Sequence, residues 1–355
     1  MPEILTANSR EVVYSPLRMG VFDRLWFRLL LSAALIGLLL WRVDLGQAWE
    51  TLRHGRYIYL ALALPLYSLS KLVDAYRWRL MLQRIGRPPV LGLLGIYLMS
   101  NMANNLFPVR TGDILRVQVP ARRYGISRAS LTASVFVTES LLDGVAFLVM
   151  LLAALTVLDV PRLPVAFVWS LLVLVGFGLA LTVPLSRLRL TEGWQDRGWF
   201  RRLPRPIREG AAGPVPEFLD GLALLGDPRL GLPALAASFA AWLLETAMYF
   251  LFGQMFGLDL TFADYVVIMV AANMVVAMPL LPSNVGPYEV AVAALLVLLG
   301  IDEGPAGAYA VSTHLLQIIW VGAMGLAAMW LMRVGLRDFF YLGRQPPEEV
   351  ERAPT

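Results

Sequence analysis

Long apolar runs, separated by short clusters of arginine, proline and glycine, dominate the 355-residue chain. A helix needs about 20 mainly apolar residues to cross the hydrocarbon of a bilayer. Six stretches meet that length: about 24–42, 57–82, 129–157, 163–186, 231–257 and 305–333. Two more runs, 90–119 and 262–299, are apolar but broken in the middle, by Asn104-Asn105-Leu106-Phe107-Pro108 and by Pro279-Leu280-Leu281-Pro282-Ser283-Asn284-Val285-Gly286-Pro287. The pattern predicts an all-α integral membrane protein of about six transmembrane helices with two interrupted segments. The first run follows some twenty polar residues that include Arg10 and Arg18 and lacks a small-residue cleavage site, so it reads as a retained helix rather than a leader.

Arginine placement orients these elements, because positive residues in short loops stay cytoplasmic. Arg77, Arg79, Arg84 and Arg87 precede the first broken segment, and Arg116, Arg122, Arg123 and Arg128 follow it, so both its ends belong on the cytoplasmic side. The flanks of the second, Asp259 on one side and Asp302 with Glu303 on the other, are acidic and lack arginine, which puts both its ends outside. The two segments are thus expected to be re-entrant from opposite faces. Backbone that leaves the helix at such depth is tolerated only against protein or a polar cavity. The expected organisation is a cytoplasmic N-terminal segment at 1–23, a membrane domain at 24–335 and a cytoplasmic tail at 336–355. Within the membrane domain a cytoplasmic loop, 188–230, carries a short amphipathic surface helix near 215–225. Both termini lie inside and the protein sits in the cytoplasmic membrane.

Composition agrees and narrows the chemistry. Hydrophobic residues make up 58% of the chain, and the mean hydropathy is +0.64, a balance outside that of ordinary soluble domains. The formal net charge of +4 comes from arginines between apolar runs, which argues for topology and lipid headgroups, not nucleic acid. With no cysteine and only His54 and His314, thiolate chemistry and cysteine or histidine-rich metal sites drop out. No cofactor or metal is expected.

An offset of 175 residues aligns Gly125-Ile126 with Gly300-Ile301, Thr138 with Thr313, and Glu139 with His314. Each block follows a broken segment, carrying Asn101 and Pro108 in the first and Asn273 and Pro279 in the second. Each broken segment is preceded by a helix with an apolar-embedded acid, Asp74 or Glu245. The reading is an inverted repeat, a build recurrent among secondary transporters.

The candidate chemistry sits at the breaks. In the first, Asn101, Asn104, Asn105, Pro108, Arg110, Gly112, Asp113 and Arg116 bring amides, a freed carbonyl and guanidinium forks to one place, suited to a phosphate; Gly112 is read as permitting a tight turn. The plainer alternative is an Arg110–Asp113 pair with Asn104 capping a helix. The second break offers Pro279, Pro282, Ser283, Asn284 and Gly286. Charge on apolar helices is costly at the bilayer centre, which marks Lys71, Asp74, Glu139, Asp143, Glu245, Glu289 and His314 as candidates for charge coupling. Structural alternatives stay open for these: Glu139 and Asp143 as partners of Arg110 or Arg116, Glu289 as a cap for the run after it, His314 as a hydrogen-bonded group. Arg77 and Arg79, beside Trp78, read as interfacial anchors. No phosphate loop, H-E-x-x-H, G-x-S-x-G or nucleophile–base arrangement is present.

The ordered set Asn105 to Arg116, Glu139 with Asp143, and Pro279 to Glu289 resembles the flippase-like family that includes the membrane domain of lysylphosphatidylglycerol synthases. The resemblance covers roughly residues 25–335. It implies an anionic phospholipid, a hopanoid or a polyprenyl-linked lipid as substrate. No soluble aminoacyl-transferase domain follows in this sequence, so lysine transfer is not expected. The expectation is a lipid translocase whose partners are membrane lipids, with a lipid-synthesis or envelope enzyme as further partner. Three alternatives stay open: an accessory subunit of such a synthase, a membrane-embedded headgroup transferase using Glu139 and Asp143, and an ion-coupled solute carrier. Oligomeric state is not indicated.

Overall fold

The computed structural model describes residues 50, 53–107, 110–157, scattered positions between 169 and 204, 214–222, 227–277 and 282–334. Among these the chain is helical, with no strand. The first long helix is α1, Ile58–Leu82. The first broken segment then forms α2, Val90–Leu106, and α3, Thr111–Tyr124. A single long helix follows as α4, Arg128–Phe136, one turn of π-helix at Val137–Leu142, and α5, Asp143–Val157. After α6, Pro214–Leu222, come α7, Pro228–Phe256, and the second broken segment: α8, Phe262–Ala277, a 3-10 turn at Pro282–Asn284, and α9, Pro287–Leu298. The chain closes on α10, Glu303–Leu331.

Four of these helices, Ile58–Leu82, Arg128–Thr156, Pro228–Phe256 and Glu303–Leu331, are long and apolar enough to cross a membrane. Leu315, Ile319, Leu326 and Trp330 of α10 are each more than half exposed, a stripe at helical spacing that only lipid would cover. The expected spans at 24–42 and 163–186 lie outside the described residues, apart from isolated positions of the latter, as do segments 1–23 and 336–355 and most of the 188–230 loop.

The breaks have local causes. Phe107 closes α2 in extended geometry, φ −107° and ψ 144°, the conformation that a following proline imposes on its neighbour. In the second segment Gly286 takes φ +102°, which a side chain resists, and Pro287 then opens α9 at a position that needs no N–H. Gly125 and Gly300 close α3 and α9 with φ of +65° and +95°, the left-handed residue that ends a helix.

Helix starts recur along the chain: 90 with 262, 111 with 287 and 128 with 303, separations of 172, 176 and 175 residues. Packing follows the same pairing. Helix α1 lies along α7, α10 packs on α2, and α5 packs on α8, so each broken segment leans on the long helix of the other half.

The apolar interior divides accordingly. One cluster joins α5, α7, α8, α9 and α10 around Tyr249, Phe252 and Tyr288, and a second joins the ends of α1 and α10 to α2, α3 and α4 around Trp78, Ile96 and Leu131. A third corrects the expectation of a surface helix in the loop: Leu219 and Leu222 of α6 are buried against Leu80, Ala133, Val137 and Leu141. Its apolar stripe faces protein because Gly221 lets it approach the Ser130 backbone of α4, and the Ser130 hydroxyl donates to the Glu217 carbonyl at 2.9 Å.

Candidate functional site

The two breaks meet. The Ser283 hydroxyl, in the 3-10 turn, donates to the Asn105 carbonyl at the end of α2 at 2.6 Å, and an Arg110 Nη1 donates to the Ala277 carbonyl at the end of α8 at 3.2 Å. Beside this contact lies a cavity of about 490 Å³, walled by α1, α2, α3, the π turn, α5, α7, α8, the 3-10 turn and α10. Its volume falls within the range of small-molecule binding sites, about 300–1,000 Å³.

The first break forms one side of it. Asn104 ties α2 to α3: its Oδ1 accepts the Gly112 N–H at 2.8 Å, and its Nδ2 donates to Asp113 at 3.0 Å. It therefore caps α3 from across the break. Arg110 pairs with Asp113 at 2.8 Å. Gly112 is needed for approach rather than for a turn. A Cβ there would overlap the Ser100 carbonyl and lie 2.6 Å from Asn104 Oδ1. Arg116 donates to Asn101 Oδ1 at 2.8 Å, stacks on the Tyr97 ring with its Cζ 4.2 Å from the centroid, and forms an ion pair with Glu139 on the π turn.

A second set of charges runs along α1. Lys71 Nζ meets Glu245 of α7 at 2.8 Å and Asp74 at 3.6 Å, and Arg77 meets Asp74 at 3.2 Å. Arg77 also binds Asp143 and donates to Ser238 Oγ at 2.8 Å, while Trp242 Nε1 donates to Asp143 at 2.7 Å. Tyr97 donates to Asp74 at 3.0 Å, joining this set to the first break. The interfacial-anchor reading of Arg77 is thereby corrected: the side chain is 2% exposed, held inward because three acceptors offset the loss of its hydration. Trp78 is likewise buried, its Nε1 donating to Ser134 at 3.1 Å.

The second break completes the wall. Asn273 Nδ2 donates to Glu245 at 3.2 Å, and Asn284 Nδ2 donates to the Val276 carbonyl at 3.0 Å. Glu289 accepts the Gly286 N–H at 2.7 Å, capping α9, and its other oxygen lies 2.7 Å from His314 Nδ1 on α10. Tyr288 stacks on the imidazole at 4.0 Å and donates to the Tyr249 hydroxyl at 3.1 Å.

Of the residues singled out in sequence, Lys71, Asn101, Asn104, Asn105, Arg110, Asp113, Arg116, Glu139, Asp143, Glu245, Asn273, Ser283, Asn284 and His314 line this one cavity. Asp74, Gly112, Gly286 and Glu289 stand directly behind its wall through the bonds above. Pro108 and Pro279 lie outside the described residues, and for Pro282 only the backbone is described. Tyr97 and Trp242 join the site without having been marked, together with Tyr249, one turn from Glu245. Helical spacing points to them, since Tyr97 precedes Asn101 by four positions, Trp242 precedes Glu245 by three and Tyr249 follows it by four. Among the described residues no group of three or more histidine, aspartate and glutamate side chains is arranged to hold a metal.

Fold and cavity together define a polytopic helical membrane protein whose polar centre is assembled from two interrupted helices. The chain belongs to the family described as the lysylphosphatidylglycerol synthase TM region, whose model matches residues 25–325. It is also 25% identical, over 329 residues, to a UPF0104 membrane protein of Methanothermobacter thermautotrophicus, an alignment covering 86% of this chain and 93% of that one. No solved structure matches it.

Proposed function

We propose that the protein is a lipid translocase of the cytoplasmic membrane, moving a phosphate-bearing lipid through the cavity between the two breaks. One observation carries the reading: inside an apolar helical body, guanidinium groups and side-chain amides of both broken segments converge on a single chamber of about 490 Å³. Arg110 and Arg116 are its phosphate ligands. Each is held ready by a carboxylate, Asp113 or Glu139, that a headgroup phosphate would replace as acceptor. Both acids are partly accessible, Asp113 at 35% and Glu139 at 27% exposure, so either can turn away. In the rest of the chamber Lys71 and Arg77 are shared among the three carboxylates of Asp74, Asp143 and Glu245.

In this reading the broken segments are re-entrant hairpins entering from opposite faces, and the two halves are an inverted repeat. The recurring helix starts and the crossed packing of α10 on α2 and α5 on α8 support it. Alternating access then means parting the Ser283–Asn105 contact while the helix pair α1 and α7 stays in place. Transport is favoured over headgroup transfer because Glu139 and Asp143, the pair an acid–base mechanism would use, are both bound to arginines. The test is transfer of fluorescent phosphatidylglycerol between leaflets of proteoliposomes holding the purified chain. Transfer above protein-free vesicles that Arg116→Gln abolishes supports the proposal; no transfer by a folded wild-type protein sinks it.

A further inference from the structure

The two halves fasten their short helix to their long helix by different chemistry. In the first, Arg116 of α3 meets Glu139 on the π turn, a guanidinium paired with a carboxylate. In the second, at the position aligned with Glu139, the long helix α10 carries His314, and the acid is on the short helix as Glu289. An imidazole is the side chain whose charge changes near neutrality. His314 and Glu289 are 5% and 6% exposed, and His314 lines the cavity.

We propose that His314, seated on Glu289, is a proton-binding site that controls the contact between the two breaks. The carboxylate has no hydrogen to give, so the imidazole donates from Nδ1 and leaves Nε2 to take the incoming proton. Proton uptake converts a hydrogen bond from a neutral ring into a full ion pair. Glu289 transmits the change, because its second oxygen holds the Gly286 N–H at the start of α9. Three residues earlier Ser283 touches the Asn105 carbonyl of the other break. Charged His314 therefore draws the second break onto α10 and keeps the two tips together, and neutral His314 slackens that tie.

Titratable and charged groups face His314 from its own helix and from α9, α7 and α2. On its own helix α10, Glu303 opens the first turn, eleven positions away, and Tyr309 donates to the Tyr249 carbonyl. From α9 it meets Tyr288 and Glu289; α7 presents Tyr249 and Glu245, the latter paired with Lys71 of α1. Helix α2 brings Tyr97 and no charged side chain. The other charges in the chamber, Arg110 with Asp113, Arg116 with Glu139, and Asp143 with Arg77, are paired with each other.

The test does not depend on lipid movement, so its failure and that of the translocase reading are separable. In His54→Gln the remaining imidazole is His314, and its ring resonances in the full chain, reconstituted in nanodiscs, report protonation directly. The chain lacks cysteine, so Leu106→Cys with Val276→Cys places spin labels at the ends of α2 and α8, beside the breaks. The expected result is a change in the His314 ring resonances between pH 5 and pH 8 together with a label separation that lengthens over the same interval with the same midpoint. His314→Gln should hold the long separation at both pH values, and Glu289→Gln should lose the pH response. An imidazole that does not titrate in His54→Gln overturns the proposal, and so does a folded His314→Gln whose separation still follows pH. Should His314→Gln not fold, the titration in His54→Gln decides alone.

Discussion

Lys71→Met is the sharpest probe of the buried charge network, because Lys71 and Glu245 belong to the two central helices and hold them together across the chamber wall. At an effective dielectric of ~20, two unit charges 2.8 Å apart attract by about 6 kcal/mol. Desolvation of two charges buried to 7% and 4% exposure offsets most of that, several kcal/mol for each ion. The substitution therefore removes little net attraction but strands Glu245 as a buried carboxylate, and breaking such pairs typically costs about 3–5 kcal/mol. Asn273 still donates to Glu245 at 3.2 Å, which places the expected loss near the lower end, about 3 kcal/mol. Glu245→Gln should cost less, since Lys71 retains Asp74 at 3.6 Å. Combining the two removes both buried charges and should recover at least 1 kcal/mol relative to the sum of the single losses. Unfolding in mixed micelles, followed by tryptophan fluorescence, measures all three; Trp242 lies 5.9 Å from the Lys71 ammonium and reports locally. A Lys71→Met protein within 1 kcal/mol of wild type, or strictly additive losses, would refute the account.

Other substitutions test separate parts of the site. Gly112→Ala should destabilise by about 1–3 kcal/mol in the same unfolding assay, since its Cβ has no room against the Ser100 carbonyl and backbone cannot swing aside; a neutral result would mean the break is more open than described. Gly286→Ala forces a side chain onto φ +102° and should cost about 1–3 kcal/mol, whereas Gly322→Ala, with open space around it, should be nearly silent. Leu219→Ala should loosen α6 from the membrane domain at a cost of about 2–5 kcal/mol, seen as faster limited proteolysis between α6 and α7 with the rest of the chain intact. Arg77→Gln leaves Asp143 with Trp242 as its neutral donor and should lower stability more than Arg79→Gln does, reversing the order expected of two interfacial anchors.

Much of this architecture was legible in the residues because it rests on local rules. Apolar length gave the long helices, and the proline after Phe107 and the glycine at 286 announced both breaks before any contact was known. Partner choice was less legible, since it depends on which helix lies opposite. Lys71, Asp74 and Arg77 follow one another at spacings of three along α1, yet the residues that tie them to the other helices, Glu245 and Asp143, are 174 and 66 positions away. The same limit misplaced Arg77: arginine beside tryptophan near a helix end looks like an anchor unless Asp143 is known to face it. Gly112 was marked for the wrong reason, because close approach to Ser100 is a tertiary fact and a turn is a local one. For α6 the amphipathic pattern was visible, but periodicity says only that one face is apolar, not whether lipid or Ala133 covers it.

The recurrence at about 175 residues has a consequence for how the chamber must work. If both halves were fastened alike, each break would be held with equal strength and nothing in the protein would favour opening one before the other. At the fastening the residues differ: a guanidinium faces a carboxylate on one side, and an imidazole faces a carboxylate on the other. A guanidinium keeps its charge and can exchange its carboxylate for a competing anion, whereas an imidazole loses its charge with a proton. On the proposed function, the first break would be released by a phosphate headgroup that takes Arg116 from Glu139, and the second by deprotonation of His314. The Ser283–Asn105 contact couples them, since parting it requires only one side to move. On this basis Glu139→Gln, which loosens the first fastening and leaves the second untouched, should lengthen the Leu106–Val276 label separation at pH 5 without abolishing its further increase at pH 8. Loss of the pH response in that variant would show the two fastenings to be one unit and end the argument for independent release.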